Sequence, residues 1–161
     1  MSKIKCPGDC TDTGCIAPKK PKPVVIDFLY INADSTKGWR ACLSTLNEAI
    51  DELSSLLNSS GLYIEVNQTQ IETIEQATTH RFVCSPTIRI NGIDIAQTAH
   101  SSADDANCRV WLYNGAKYDT APKPLILSSI IKAIYGAAIP AAESPYSLPA
   151  NLQKFFDSKS E

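Results

Sequence analysis

The stretch CSPTIRING, residues 84–92, decides the fold of this chain. Pro86 heads an alternating apolar strand, and that strand ends in Asn91-Gly92. Asn-Gly after an alternating run is the strongest short signal for a two-residue β-hairpin, because both residues tolerate positive φ angles. The stretch therefore predicts an antiparallel hairpin, Thr87–Ile90 turning into Ile93–Ile95.

A strand, a helix and a second strand precede this hairpin. Val24–Ile31 is a nearly continuous apolar run, typical of a strand covered on both faces. Trp39–Asn58 carries leucines and isoleucines at spacings of three and four, which predicts one apolar helix stripe that Gly61 ends. Leu62–Val66 alternates as a second strand, and one helical crossover between two strands predicts a parallel unit.

Two helices and a second hairpin are predicted after the second strand. Glu72–His80 predicts a short helix. A second hairpin runs from Arg109–Tyr113 through Asn114-Gly115. Pro124 occupies an expected first helical position, and Gly136 ends the helix that follows.

Length and composition predict one domain with extensions. The chain has 161 residues and a formal net charge of -2, and it shows no stripe of lysine or arginine, so nucleic acid is not an expected partner. We expect a Cys-containing head with a Pro/Lys linker at 1–23, a domain at 24–137, and a Pro/Ala-rich tail at 138–161. Leu152, Phe155 and Phe156 suggest a helical turn in that tail, which packs on its own domain or on a partner.

No segment is apolar enough to span a membrane, because polar residues and a glycine interrupt the longest apolar run. The N-terminus lacks the apolar region of a signal peptide, so we expect a cytoplasmic protein. Six cysteines in a reducing compartment are expected to be reduced, metal-bound or catalytic rather than structural disulfides.

The order of elements resembles the thioredoxin fold. The segments SPTIRINGIDI and CRVWLYNGAKY, with the helix PLILSSIIKAIYG, resemble a small prokaryotic family of thioredoxin-like proteins without assigned function. The resemblance implies an α/β domain with a mixed sheet of four or five strands flanked by helices. It also implies that the Ser85–Pro86 bond is cis and that this loop faces the start of the first helix.

Members of that family typically carry Cys-x-x-Cys just after the first strand. In this chain, alignment on the first helix puts Thr36 and Trp39 where those cysteines would stand. A hydroxyl and an indole have no thiolate chemistry, so the chain lacks the usual dithiol. The resemblance implies that substrate or partner binding involves the residues around this corner: Cys84, Ser85, Pro86, Thr87, Thr36 and Trp39.

Two cysteines of the domain have competing interpretations. Cys42 lies on the apolar stripe of the first helix, where it is either a small core residue or a reactive thiol. Cys84 precedes Pro86 by two residues and is the candidate catalytic or ligand-binding thiol. Its alternative interpretation is a partly buried residue at the end of a strand.

The head holds the densest group of thiols. Cys6, Cys10 and Cys15 are candidate ligands for a thiophilic ion such as Zn, Cu(I) or Hg(II), and the alternative is an extension without a ligand. Cys84, Cys108, His80 or His100 would supply a further ligand if the head folds back.

Three functions follow from these residues. The first is a non-catalytic thioredoxin-like protein that binds a small thiol, a soft metal ion or a protein partner near Cys84–Pro86. The second is a thiol-disulfide oxidoreductase that pairs Cys84 with a head cysteine. The third is a structural subunit whose redox chemistry has been lost. The missing Cys-x-x-Cys favours a protein that is not an enzyme.

Overall fold

The structure is a computed structural model that describes residues 23–32, 38–96, 109–136 and 145–160. Its strands and helices, in chain order, are β1 (Val24–Tyr30), α1 (Gly38–Ser59), β2 (Ile64–Gln70), α2 (Ile74–Thr79), β3 (Thr87–Ile90), β4 (Ile93–Asp94), β5 (Trp111–Tyr113), β6 (Ala116–Tyr118), α3 (Lys123–Tyr135) and α4 (Ala150–Lys159).

Four strands form one mixed sheet in the order β2-β1-β3-β4. β1 pairs in parallel with β2 and antiparallel with β3, and β3 pairs antiparallel with β4. The second hairpin does not extend this sheet, because β5 and β6 pair with each other as a separate two-stranded sheet. The predicted mixed α/β architecture is therefore confirmed, with four strands in the main sheet.

β1 is buried along one face, and its other face is buried only near its C-terminal end, where the strand separates two apolar cores. Because successive side chains of a strand point to opposite faces, Ile26 and Phe28 contribute to one core and Leu29 to the other. The larger core joins β1 to α1 and α3. The smaller core joins the end of β1 to α2 and α4. The run predicted as a strand covered on both faces is therefore a strand, but it is fully covered on one face only, since Val25 and Asp27 on the other face are partly exposed.

α1 follows the predicted stripe. Its buried residues are Cys42, Leu46, Ala49, Leu53 and Leu57. The helix ends at a Schellman motif, in which the Leu62 N–H donates to the Leu57 carbonyl at 3.0 Å and the Gly61 N–H donates to the Asn58 carbonyl at 3.1 Å. Gly61 has a φ of +72°, a conformation that glycine adopts without steric cost.

Both Asn-Gly hairpin turns are confirmed. Asn91 and Gly92 have φ angles of 51° and 83°, and Asn114 and Gly115 have φ angles of 50° and 78°. Two consecutive positive φ angles define a type I′ turn, whose twist matches that of the flanking strands.

The bounds of most elements differ from the prediction by one or two residues, and the larger difference in β2 and the start of α3 have a structural reason. β2 extends to Gln70 rather than Val66, because it pairs along the whole of β1 as an edge strand and polar side chains are tolerated there. α3 begins at Lys123, with Pro122 as its N-cap, so Pro124 occupies the second helical position rather than the first. Both positions lie in the first turn, where the missing proline N–H breaks no helical hydrogen bond.

The C-terminal helix completes the smaller core. Where the sequence predicts a helical turn, the structure has α4, and Leu152 and Phe156 on this helix are buried against the end of β1. The Tyr146 hydroxyl donates to the Phe82 carbonyl at 2.8 Å just before the helix. Phe156 thus packs on its own domain, which resolves the alternative that the sequence left open.

The membrane prediction is consistent with the structure. Within the described ranges, every helix is too short or too polar to cross a lipid bilayer.

Phe156→Ala is expected to lower the free energy of unfolding by about 3–5 kcal/mol, because it removes a buried ring from a small core that cannot collapse around the cavity. Phe155→Ala is the matched control, since Phe155 is the adjacent aromatic residue and is only partly buried. Its loss is expected to be clearly smaller. Urea unfolding followed by circular dichroism measures both variants, and equal losses would contradict the role given to Phe156.

Candidate functional site

The Ser-Pro-Thr segment lies against the end of β1. The Ser85 hydroxyl oxygen accepts a hydrogen bond from the Ile31 N–H at 3.0 Å, and both residues are buried. The Ser85–Pro86 peptide bond is cis, in agreement with the sequence-based expectation. Thr87 pairs with Leu29 as the first residue of β3. The segment is therefore held beside the strand that leads towards α1.

Arg109 fixes the same segment from the other side. Its Nε donates to the Pro86 carbonyl at 3.1 Å, and its Nη2 donates to the Thr87 hydroxyl at 2.6 Å. The Thr87 hydroxyl in turn donates to the Cys84 carbonyl at 2.6 Å. One guanidinium thus holds residues 84–87 through two direct bonds and one relayed bond. We call residues 84–87 with their Arg109 contacts the anchored loop.

The charge of Arg109 is balanced by Asp94. Arg109 Nη2 lies 2.8 Å from Asp94 Oδ2, and the two side chains are 3% and 28% exposed. The other carboxylate oxygen, Asp94 Oδ1, accepts the Ala96 N–H at 2.9 Å. A guanidinium this deeply buried requires a counter-charge, because an unpaired buried ion is very costly. The carboxylate of Asp94, on the edge strand β4, therefore supplies the counter-charge that allows Arg109 to be buried.

The Trp111 ring packs against the guanidinium of Arg109. The guanidinium carbon lies 5.5 Å from the centre of the Trp111 ring, within the range of a cation–π contact. The ring is fully buried in the larger core. Among the described residues, its Nε1–H has no hydrogen-bond acceptor.

Cys42 is a core residue with an inert thiol. It is fully buried, and burial raises the pKa of the Cys42 thiol from 9.0 to about 11. The Ala121 N–H that contacts the thiol and the positive charge of Arg109 lower this pKa only in part. The thiol is therefore protonated at neutral pH, and the structure favours the core interpretation over the reactive one.

Cys84, Ser85 and Thr87 are all fully buried. Cys84 therefore does not present its thiol at the surface, although it occupies the loop position expected from the sequence. A ligand that reaches this sulfur has to displace neighbouring atoms of the anchored loop.

Trp39 lies in the first turn of α1, as the alignment of the helix predicts. Its ring stacks on Tyr30, the last residue of β1, with the ring centres 4.3 Å apart, and the guanidinium of Arg40 lies 5.2 Å from the Trp39 ring. Tyr30 is followed by Ile31, whose N–H donates to the Ser85 hydroxyl, so these two residues connect Trp39 to the anchored loop. Thr36, the other residue at this corner, lies outside the described residues.

The predicted metal ligands of the head, Cys6, Cys10 and Cys15, lie outside the described residues, and so do Cys108 and His100. Of the further candidates, His80 is described: it is the C-cap residue of α2, and its carbonyl accepts a hydrogen bond from Arg89 Nη1 at 2.7 Å. Across the described ranges, the structure brings together no group of three or more histidine, cysteine, aspartate or glutamate residues suited to a metal ion.

Sequence reasoning missed Arg109 and Asp94 as site residues. Each is the charged member of an otherwise apolar strand segment, Arg109-Val110-Trp111 and Ile93-Asp94-Ile95. Opposite charges in two apolar segments are a signal for a buried ion pair. The sequence does not show which two charged residues pair, however, because the pairing depends on how the second hairpin packs against the sheet.

Asp94→Asn is expected to lower the free energy of unfolding by about 2–4 kcal/mol, because it leaves the buried Arg109 without its counter-charge while it preserves the shape of the side chain. Glu52→Gln is the control, since Glu52 pairs with Lys123 at 3.3 Å and both side chains are largely exposed. Its expected effect is below about 1 kcal/mol. Urea unfolding measures both, and similar values for the two variants would contradict the buried pair.

The raised pKa of Cys42 predicts a pH dependence of stability. Below pH 9.0 the thiol is protonated in both states, whereas between pH 9.0 and about 11 the unfolded chain loses the proton that the folded chain keeps. The free energy of unfolding therefore falls as the pH rises through this window, by up to about 2–3 kcal/mol. Cys42→Ala is expected to lack this component. Urea midpoints of both proteins at pH 8, 9 and 10 test it, and parallel pH profiles would exclude it.

Comparisons with known proteins give a family but no activity. No curated protein and no solved structure matches the chain. A family model described as a domain of unknown function, DUF2703, matches residues 24–130. This range takes in β1, the anchored loop, Asp94 and Arg109, and it spans well over half of the sequence. The chain therefore belongs to the DUF2703 family.

Proposed function

We propose that this protein is a non-catalytic thioredoxin-like protein that binds a small thiol, a soft metal ion or a protein partner near the Cys84–Pro86 loop. The observation that carries the proposal is the anchored loop itself. Arg109 and Ser85 hold Cys84 and Pro86 in a defined position beside β1, and a ligand reaches the buried Cys84 thiol by opening these contacts.

The sheet supports the thioredoxin-like part of the proposal. A parallel β1–β2 pair beside an antiparallel β3–β4 hairpin is the strand order expected for that fold, with α1 and α3 on one face and α2 on the other. The Ser-Pro segment that precedes β3 lies beside the end of β1, where the resemblance places it.

The thiols support binding rather than catalysis. Dithiol exchange needs a thiolate near a helix N-terminus and a second cysteine within reach. No cysteine precedes Cys42 between residue 24 and α1, and the Cys42 thiol is protonated at neutral pH. The buried position of Cys84 also disfavours rapid exchange with an external disulfide. An oxidoreductase that uses Cys84 with a head cysteine, and a purely structural subunit, are the alternatives that the experiment has to separate.

Mercury(II) is the probe for this proposal, because thiolates bind it strongly and it reports any accessible thiol. In native mass spectrometry with competing glutathione, the wild-type chain is expected to retain the ion. Cys84→Ser is expected to weaken retention, whereas Cys42→Ser, the matched change at the other buried cysteine, is expected to leave it unaltered. A joint replacement of Cys6, Cys10 and Cys15 by serine measures what the head contributes.

Insulin reduction by dithiothreitol separates the alternatives. The proposal predicts no acceleration by the wild-type protein. Acceleration that Cys84→Ser abolishes would establish the oxidoreductase instead. An absence of both acceleration and mercury retention would favour the structural subunit.

A further inference from the structure

We propose that Arg109 is a positioning residue that controls access to Cys84 by keeping the anchored loop closed. This inference rests on the proposed function, since it concerns how the same loop is held and released. It assigns to Arg109 a role that the sequence pattern does not reveal.

The hydrogen bonds of Arg109 to Pro86 and Thr87 are what would keep the loop closed. Its Nε and Nη2 bind two consecutive residues, Pro86 and Thr87, and the Thr87 hydroxyl passes the connection to the Cys84 carbonyl. Two donors of one planar guanidinium fix direction as well as distance. A lysine at this position keeps the positive charge beside Asp94 but has no planar fork that binds both groups. Arg109→Lys therefore separates the geometry of the contact from its charge.

Asp94 keeps Arg109 in the orientation that reaches the loop. Its two carboxylate oxygens have separate partners, Arg109 Nη2 and the Ala96 N–H, so the carboxylate is itself fixed within its turn. The contacts form one continuous path from the β3–β4 hairpin to the carbonyl of Cys84. A change at any point of this path is expected to act on the loop.

The two buried cysteines report different kinds of opening. Cys42 lies on α1 among the residues of the larger core, so its exposure requires α1 to leave the sheet. Cys84 lies in a connection between α2 and β3, so its exposure requires only that this connection opens. Local opening costs less free energy than global unfolding, and thiol labelling distinguishes the two. Arg109→Lys keeps the positive charge that lowers the Cys42 pKa, so this variant is not expected to change the reactivity of Cys42 through charge.

The test is the ratio of labelling rates at Cys84 and Cys42. In a chain with Cys6, Cys10, Cys15 and Cys108 replaced by serine, iodoacetamide labelling under native conditions is followed by mass spectrometry of the two cysteine peptides. Arg109→Lys is expected to raise the rate at Cys84 at least tenfold and to leave the rate at Cys42 within twofold. Thr87→Val, which keeps the side-chain shape and removes the relaying hydroxyl, is expected to change the ratio in the same direction.

Arg89→Lys is the matched control. Arg89 lies on β3, and its guanidinium donates to the carbonyls of His80 and Arg81, at the α2 end of the same connection, but not to residues 84–87. Arg89→Lys therefore tests whether release of the α2 end alone exposes Cys84. We expect this variant to leave the ratio unchanged. Thr87→Val keeps the proposal testable if Arg109→Lys does not fold.

Two results would overturn the inference. One is a parallel rise at both cysteines in Arg109→Lys and Thr87→Val, which would assign Arg109 to general stability. The other is an unchanged rate at Cys84 in these variants. Because labelling needs no bound ligand, a selective rise at Cys84 without mercury retention in the wild-type chain would refute the proposed function and leave the role of Arg109 intact.

Discussion

A guanidinium buried almost completely inside the domain is the constraint on which the rest of the site depends. Desolvation of a permanent charge is unfavourable, and Arg109 is tolerated because Asp94, Pro86 and Thr87 accept hydrogen bonds from its Nε and Nη2. A buried ion pair adds little net stability compared with apolar packing. Its effect in this protein is instead geometric, since the pair and its hydrogen bonds join the end of β4, the residues just before β5 and the loop before β3.

The second constraint is the position of β1 between the two apolar cores. β3 lies beside this strand, and the serine hydroxyl of the loop accepts the N–H of Ile31, the residue that follows β1. The inert chemistry of Cys42 has the same origin, because the α1 face that packs on β1 contains that cysteine. A thiol in this place contributes volume to the core and remains protonated at neutral pH.

Local patterns predicted the strands and helices well, because apolar periodicity and Asn-Gly turns are determined by short-range geometry. The end of β2 was not predictable in this way, since its last residues are polar and become a strand only by pairing with β1. Resemblance placed Ser85 and Pro86 at the site, and the structure found them beside Ile31. Arg109 and Asp94 were missed because a contact between two hairpins has no sequence period.

The position of α4 has a consequence for how the family is understood. The match to the family model ends at residue 130, whereas Leu152 and Phe156 cover Leu29, Ile31 and Phe82 on the second face of the sheet. In this chain the segment that matches the family model is therefore shorter than the segment that packs around the sheet. A fragment cut at residue 130 would leave the apolar side chains of Leu29, Ile31 and Phe82 exposed to water.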